Sequence, residues 1–209
     1  MGKVKIVTNA VCDLTPAKAA ALDVEMIPEA MIFDGISYLT NVDITPQQFY
    51  EKMRKSRALP TASHPNVSMY MDAFRTADTD EYDEVLCLNL TSKLSGSINT
   101  AFLAKSTLEE QGFPKPIFIY DTLQLTHGLA FQVLEAARLS AAGQNAEGII
   151  RHLDAIREHI AIYFVMKSLE NARRGGRLGL IRTVAADALG VRPVLQFRQG
   201  IHSEECLVR

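Results

Sequence analysis

An α/β fold is what this 209-residue sequence predicts: a mostly parallel sheet covered by helices on both faces, followed by the start of a second α/β domain. Three observations carry that prediction. Short apolar or β-branched runs recur at Val4–Thr8, Glu84–Leu90 and Pro116–Tyr120, each run ends in a polar loop, and each loop leads into a segment that opens like a helix. Strands separated by helices pair in parallel, and such sheets are buried on both faces.

Taken in order, the first unit is Val4–Thr8, the loop Asn9–Leu14, and a helix start at Thr15-Pro16, with Thr as N-cap and Pro at the first helical position. Met31–Leu39 places Asp34-Gly35 between two apolar segments, a strong hairpin signal, so an insertion is expected near residues 26–42. Thr45-Pro46-Gln47-Gln48 is a capping box that opens a helix through Phe49, Tyr50 and Met53. Leu59–Pro65 interrupts it with two prolines around hydroxyl residues, and a helix over Val67–Phe74 follows. The helix after Glu84–Leu90 should run from Ser97 to Gln111, where Gly112 and Pro114 end it. After Pro116–Tyr120 comes an apolar helix over His127–Ala142 closed by Gly143, and then Ile149, Leu153, Ile156 and Ile160 at helical spacing. Ala161–Val165 is the next strand, Lys167–Arg174 reads as a helix, and Val191–Ile201 as a strand region. This divides the chain into an α/β domain over 1–160 and a partial second α/β domain over 161–209, since so few elements cannot bury a core alone.

The chemistry concentrates where Glu84–Leu90 ends in Thr91-Ser92-Lys93-Leu94-Ser95-Gly96-Ser97. A helix N-terminus leaves N–H groups without intrahelical partners and carries the positive end of the macrodipole, so such a loop can hold an anion. Ser95 and Ser97 add hydroxyl donors, and Gly96 lets a ligand approach the backbone. The plainer role for either serine is to cap the helix. In parallel sheets, ligands bind at the carboxyl ends of the strands, so the loops at Asn9, Thr91–Ser97 and Asp121–Thr126 should share one edge, with the Thr61 loop beside them.

Composition narrows the classes. A net charge of −2 and a pI near 6.2 give no global basic field, so no nucleic-acid partner is expected. No run approaches the length of a membrane span, so stable membrane insertion is not expected either. Cys12, Cys87 and Cys206 are widely spaced, which argues against a zinc knuckle or a disulfide framework and fits a reducing cytoplasm. Cys12 lacks a positioned base, and Asp121 has no acidic neighbour to share a metal, so neither a catalytic residue nor a metal nor a cofactor is expected. His64 and His127 could form an acid–base pair with Asp121, but no spacing requires them to meet. A dinucleotide fold would need glycines in the loop at Asn9, which has none. A phosphotransferase binding phosphate at the Ser95 loop is the alternative from another class, although no P-loop Lys is evident.

Assembled, these residues resemble the DegV family of bacterial fatty-acid-binding proteins. Leu59-Pro-Thr-Ala-Ser-His-Pro65 is similar to the family's Pro-Thr-Thr-Ser-Gln-Pro loop, Ser92–Ser97 to its Ser-Lys-Leu-Ser-Gly-Thr loop, and Leu169-Glu170 with Gly175-Gly176-Arg177 to its Leu-Glu and Gly-Gly-Arg segment. Val42-Asp-Ile-Thr-Pro46 and Asp121-Thr122 also match. The resemblance implies a carrier, not an enzyme, that holds a long-chain fatty acid between two α/β domains and hands it to a separate kinase subunit. The carboxylate would be bound by Ser95, with Gly96 and Ser97 N–H groups and the Thr61, Ala62, Ser63 loop. Arg173, Arg174 and Arg177 are candidates for docking the kinase, or else a solvated cationic turn. Phe33, Leu129, Phe164, Met166 and Leu169 fit either acyl contacts or ordinary core. The sequence departs from the family in three places. Ala62 replaces a Thr that touches the carboxylate, and Asn9-Ala10-Val11 replaces Asp-Ser-Thr. By the same resemblance, family members would run some tens of residues further, to a His near the head group, so the sequence reads as C-terminally shortened.

Overall fold

The computed structural model describes residues 3–56, 58–165 and 192–208. In order they form β1 (Lys3–Asn9), a 3-10 turn (Ala10–Cys12), α1 (Pro16–Ala21), β2 (Val24–Ile27), β3 (Ala30–Phe33), β4 (Ile36–Leu39), α2 (Pro46–Lys55), β5 (Thr61–Ser63) and α3 (Val67–Arg75). Then come β6 (Tyr82–Asn89), α4 (Ser97–Glu110), β7 (Ile117–Asp121), α5 (Thr126–Ala141), α6 (Ala146–Arg157), β8 (Ala161–Val165), β9 (Arg192–Arg198) and β10 (Ile201–Val208).

The helix starts follow their capping residues. Thr15 Oγ1 accepts the Lys18 N–H, Thr45 and Gln48 close a full capping box, and Asn66 and Asn145 cap α3 and α6 through their side-chain oxygens. At the tip of the β3–β4 hairpin, Asp34 and Gly35 both take positive φ, 49° and 82°. The type I′ turn requires this, and Asp-Gly supplies it cheaply.

β1, β2, β6 and β7 make an all-parallel sheet in the order β2-β1-β6-β7. Alternate residues serve opposite faces. Val4 and Ile6 with Leu86 and Leu88 pack under α5 and α6, while Val7 with Val85 and Cys87 packs under α3 and α4. The sheet is thus covered on both faces, as its unbroken apolar runs require. From β1 the chain winds outward to β2, then returns across β1 to lay β6 and β7 on the other side. The strand order therefore reverses between β1 and β6, and the carboxyl ends of these two strands flank the crevice where doubly wound sheets bind ligands.

Two antiparallel sheets complete the described residues. β3 pairs with β4 and β5; Ala30 follows Ile27 at the carboxyl end of β2 by three residues and pairs with Ser63. The Thr61–Ser63 stretch, expected as a rigid loop, is therefore an edge strand reaching the same edge of the parallel sheet. β8, β9 and β10 form a second sheet with Leu195 and Phe197 fully buried. The strand region expected at Val191–Ile201 is the β9–β10 hairpin, and β8 pairs antiparallel with β9. The expected helix at Lys167–Arg174, the cationic turn Arg173, Arg174, Arg177, and Met166 and Leu169 lie outside the described residues.

Candidate functional site

β1, β6 and β7 each end in an amide or carboxylate residue, Asn9, Asn89 and Asp121. These side chains hold the loop between β6 and α4. Asp121 accepts the Leu123 N–H at 3.0 Å and the Ser92 N–H at 3.3 Å, and Asn9 Oδ1 accepts the Leu90 N–H at 3.1 Å. The Thr91 N–H donates to the Gln124 carbonyl at 2.9 Å, and the Thr122 hydroxyl donates to the Asn89 carbonyl at 2.8 Å. The three loops expected to share one edge do so, and they are hydrogen-bonded to one another.

Within that loop the Leu94 and Ser95 N–H groups turn back onto the Thr91 carbonyl, and Gly96 becomes the N-cap of α4 without a side-chain cap. Ser95 Oγ accepts the Ser97 N–H at 3.2 Å, so the capping role and the outward placement of Ser95 coexist. Ser95 is half-buried, Gly96 is exposed, and nothing stands within 4 Å of where a Gly96 Cβ would lie. Ser97 points inward and is fully buried. Its hydroxyl meets the Tyr70 hydroxyl at 2.5 Å, and Asn9 Nδ2 lies 2.8 Å from the same phenol oxygen. Asn89 completes the group, with its side-chain nitrogen and oxygen 3.1 and 3.2 Å from Tyr70 Oη.

Thr61, Ala62 and Ser63 are all exposed on β5. Among the described residues no hydrogen bond joins them to Ser95–Ser97; the Ser63 hydroxyl donates to the His64 carbonyl at 3.4 Å. The link between the two groups is α3, which begins four residues after Ser63 and carries Tyr70. Tyr70, Asn9 and Asn89 as a joined set were not read from the sequence. The available signal was an Asn ending each of two apolar strands.

Among the described residues no hydrogen bond or ion pair joins His64, His127 and Asp121, the acid–base group whose spacing did not require them to meet. Asp121 is occupied by backbone amides, and His127 lies 3.9 Å from the Asp13 carboxylate while 85% exposed. Burial pushes the Cys12 thiol up to about 11 and the Cys87 thiol up to about 12, away from the thiolate a nucleophile needs. Lys93 reaches across to the Gln199 carbonyl at 3.0 Å, and Gly200 lies so close that a Cβ would stand 2.6 Å from Thr91 Oγ1. The turn between β9 and β10 therefore rests on the Thr91–Lys93 loop.

An apolar groove of about 630 Å³ opens beside this edge, between the first turns of α5, the end of α6 and β8. Gly128, Phe131, Ile156, Ile160, Ile162 and Tyr163 line it. Its size falls within the range of small-molecule sites, roughly 300–1,000 Å³. Gly128 is closely packed there: a Cβ would stand 2.5 Å from Gln124 Oε1 and 3.0 Å from Ile162 Cδ1, so those side-chain tips would have to shift. Gln124 ties the groove to the loop, since its carbonyl accepts Thr91 N–H and its side-chain amide donates to the Ile160 carbonyl at 3.0 Å. Of the residues that fitted acyl contact or core, Leu129 is fully buried under the parallel sheet, and Phe33 is buried against Phe49 and Tyr38. Phe164 is half-buried on β8.

The structure is thus an α/β protein with hydroxyls and open backbone at a strand-edge helix start, and with an apolar groove tied to that loop through Gln124. A family model described as "Uncharacterised protein, DegV family" matches residues 3–209, and the chain belongs to the DegV family. A DegV domain-containing protein of Listeria innocua, lin1977, is 32% identical over all of this chain and 73% of its own length. A fat acid (stearic acid)-binding protein from Eubacterium ventriosum has a solved structure that superposes with a TM-score of 0.89 at 32% identity, over 100% of this chain and 71% of that one. A fatty-acid-binding DegV family protein from Thermus thermophilus gives 0.82 at 30% identity, over 99% and 72%. Among the described residues no helix is long and apolar enough to cross a membrane.

Proposed function

We propose that this chain binds a long-chain fatty acid. The carboxylate lies at the Ser95–Gly96 turn opposite Thr61–Ser63, the acyl chain lies in the groove at Gly128 and Phe131, and the acid is presented to a fatty acid kinase. The observation that carries this reading is the Thr91–Gln124–Ile160 hydrogen-bonded link between the anion-suited turn and the apolar groove. Ser95 Oγ already accepts from Ser97 N–H, which leaves its proton to donate, and the exposed Gly96 backbone adds the positive end of α4. Ser97 supports the turn from inside rather than meeting the ligand. Each buried CH₂ contributes ~0.8 kcal/mol, so the groove supplies affinity while the turn selects the head group. The described relatives whose names state a ligand bind fatty acids.

Among the described residues no base is hydrogen-bonded to Ser95, which suits a carrier that does not transform its ligand. We place a second unit over residues 161–209 around the β8–β9–β10 sheet, and keep Arg173, Arg174 and Arg177 as the kinase-docking surface. The rival phosphate reading would call on Lys93, whose ammonium, among the described residues, donates to the Gln199 carbonyl at 3.0 Å. Calorimetric titration with palmitate in the presence of increasing inorganic phosphate tests the choice. Saturable palmitate binding insensitive to phosphate is expected; binding of phosphate alone, or its displacement of palmitate, would favour the phosphotransferase reading.

A further inference from the structure

Four side chains behind the proposed carboxylate site, Asn9, Tyr70, Asn89 and Ser97, are fully buried and bonded to one another. Asn9 is oriented unambiguously, because its oxygen accepts Leu90 N–H and its nitrogen must then face Tyr70. A phenol has one proton and two acceptor positions, and Asn9, Asn89 and Ser97 use all three. Burial pushes the Tyr70 hydroxyl up to about 12, so it remains a neutral phenol. None of the four can touch a ligand. What they join is informative: Asn9 and Asn89 end the strands flanking the crevice, Ser97 is the first residue of α4, and Tyr70 rides on the helix that continues from β5.

We infer that Tyr70 is the positioning residue of the carboxylate site: its hydroxyl ties α3, and with it the Thr61–Ser63 strand, to the first residue of α4, holding the two sides of the site at one separation. This rests on the fatty acid reading. It implies that Tyr70 governs discrimination between a carboxylate and an uncharged head group, and leaves the apolar contribution alone. Hydrogen-bonded supports behind metal ligands control about 10–100-fold in affinity, and the lower end of that range is the effect expected for a support behind a carboxylate-binding turn.

The test uses the full chain as Tyr70→Phe, which keeps the ring beside Phe74 and removes only the hydroxyl, with Ser97→Ala as a second variant that cuts the same bond from the α4 end. Affinities for palmitate and 1-hexadecanol are measured by titration, and amide exchange is followed at Ser95 and Ser97, whose N–H groups are bonded within the turn. The expected result is palmitate weakened roughly ten-fold, hexadecanol changed less than about two-fold, and exchange at both amides accelerated roughly ten-fold in each folded variant. Unchanged palmitate affinity, equal weakening of both ligands, or unchanged exchange would overturn the inference. If the unsubstituted chain takes up neither ligand, the fatty acid reading fails on its own. Exchange at Ser95 and Ser97 then decides whether Tyr70 positions the turn: acceleration upholds it, no change overturns it.

Discussion

The α4 side of the site and the β5 side reach the same sheet edge by different means. On the α4 side Asn9, Tyr70, Asn89 and Ser97 are buried and paired behind the turn, and the loop is held by Asp121, Asn9 and Gln124. On the β5 side three exposed residues rest on an edge strand, and among the described residues the Ser63 hydroxyl is bonded to its neighbour's carbonyl. Buried networks are expensive to break, because each orphaned group forfeits its water as well as its partner; exposed hydroxyls can be lost cheaply. On the proposed fatty acid reading, the first side is therefore formed before ligand arrives, and the second is completed by it.

The contrast should appear first in stability. Tyr70→Phe leaves buried Asn9, Asn89 and Ser97 groups facing a ring, and an expected loss of about 2–3 kcal/mol is measurable by urea denaturation. The β5 side has its own buried liability. Glu29, one residue before β3, is 6% exposed, and burial pushes its carboxyl up to about 8 against opposing pulls from its own and the Val11 amides. The folded state thus holds a proton that the unfolded state, at 4.5, has lost. Stability falls as pH rises through that window, by about 2 kcal/mol between about pH 6 and about pH 8. Denaturation at several pH values should show that slope, and Glu29→Gln should flatten it. At the ligand, Ser95→Ala should weaken palmitate roughly ten-fold or more and cost about 1 kcal/mol of folding stability through the lost cap. Thr61→Ala should weaken palmitate about two- to five-fold and leave the denaturation midpoint unchanged. A Thr61 effect as large as that of Ser95 would break the distinction between the two sides.

The Ser95–Ser97 turn was legible because a hydroxyl-rich loop after an apolar run carries its meaning locally. The helix starts at Thr15 and Thr45 and the Asp34-Gly35 hairpin were legible for the same reason. Tyr70 was not, since with Ala73 and Phe74 it reads as one apolar helical face, and only folding brings its hydroxyl to Asn9 and Asn89. β2 escaped notice because four residues containing Glu25 make a weak pattern, and a parallel strand declares itself through partners distant in sequence. β5 was hidden by its prolines, which suit edge strands as well as loops. Phe33 and Leu129 look alike as apolar letters, and only burial separates them from the groove residues Phe131 and Ile162.

Native mass spectrometry of the purified chain, before and after mild organic extraction, tests the central claim most directly. The expected result is a mass increment matching a long-chain fatty acid that extraction removes, added palmitate restores, and Ser95→Ala diminishes. A chain that carries no such increment and takes up neither palmitate nor oleate would contradict the claim.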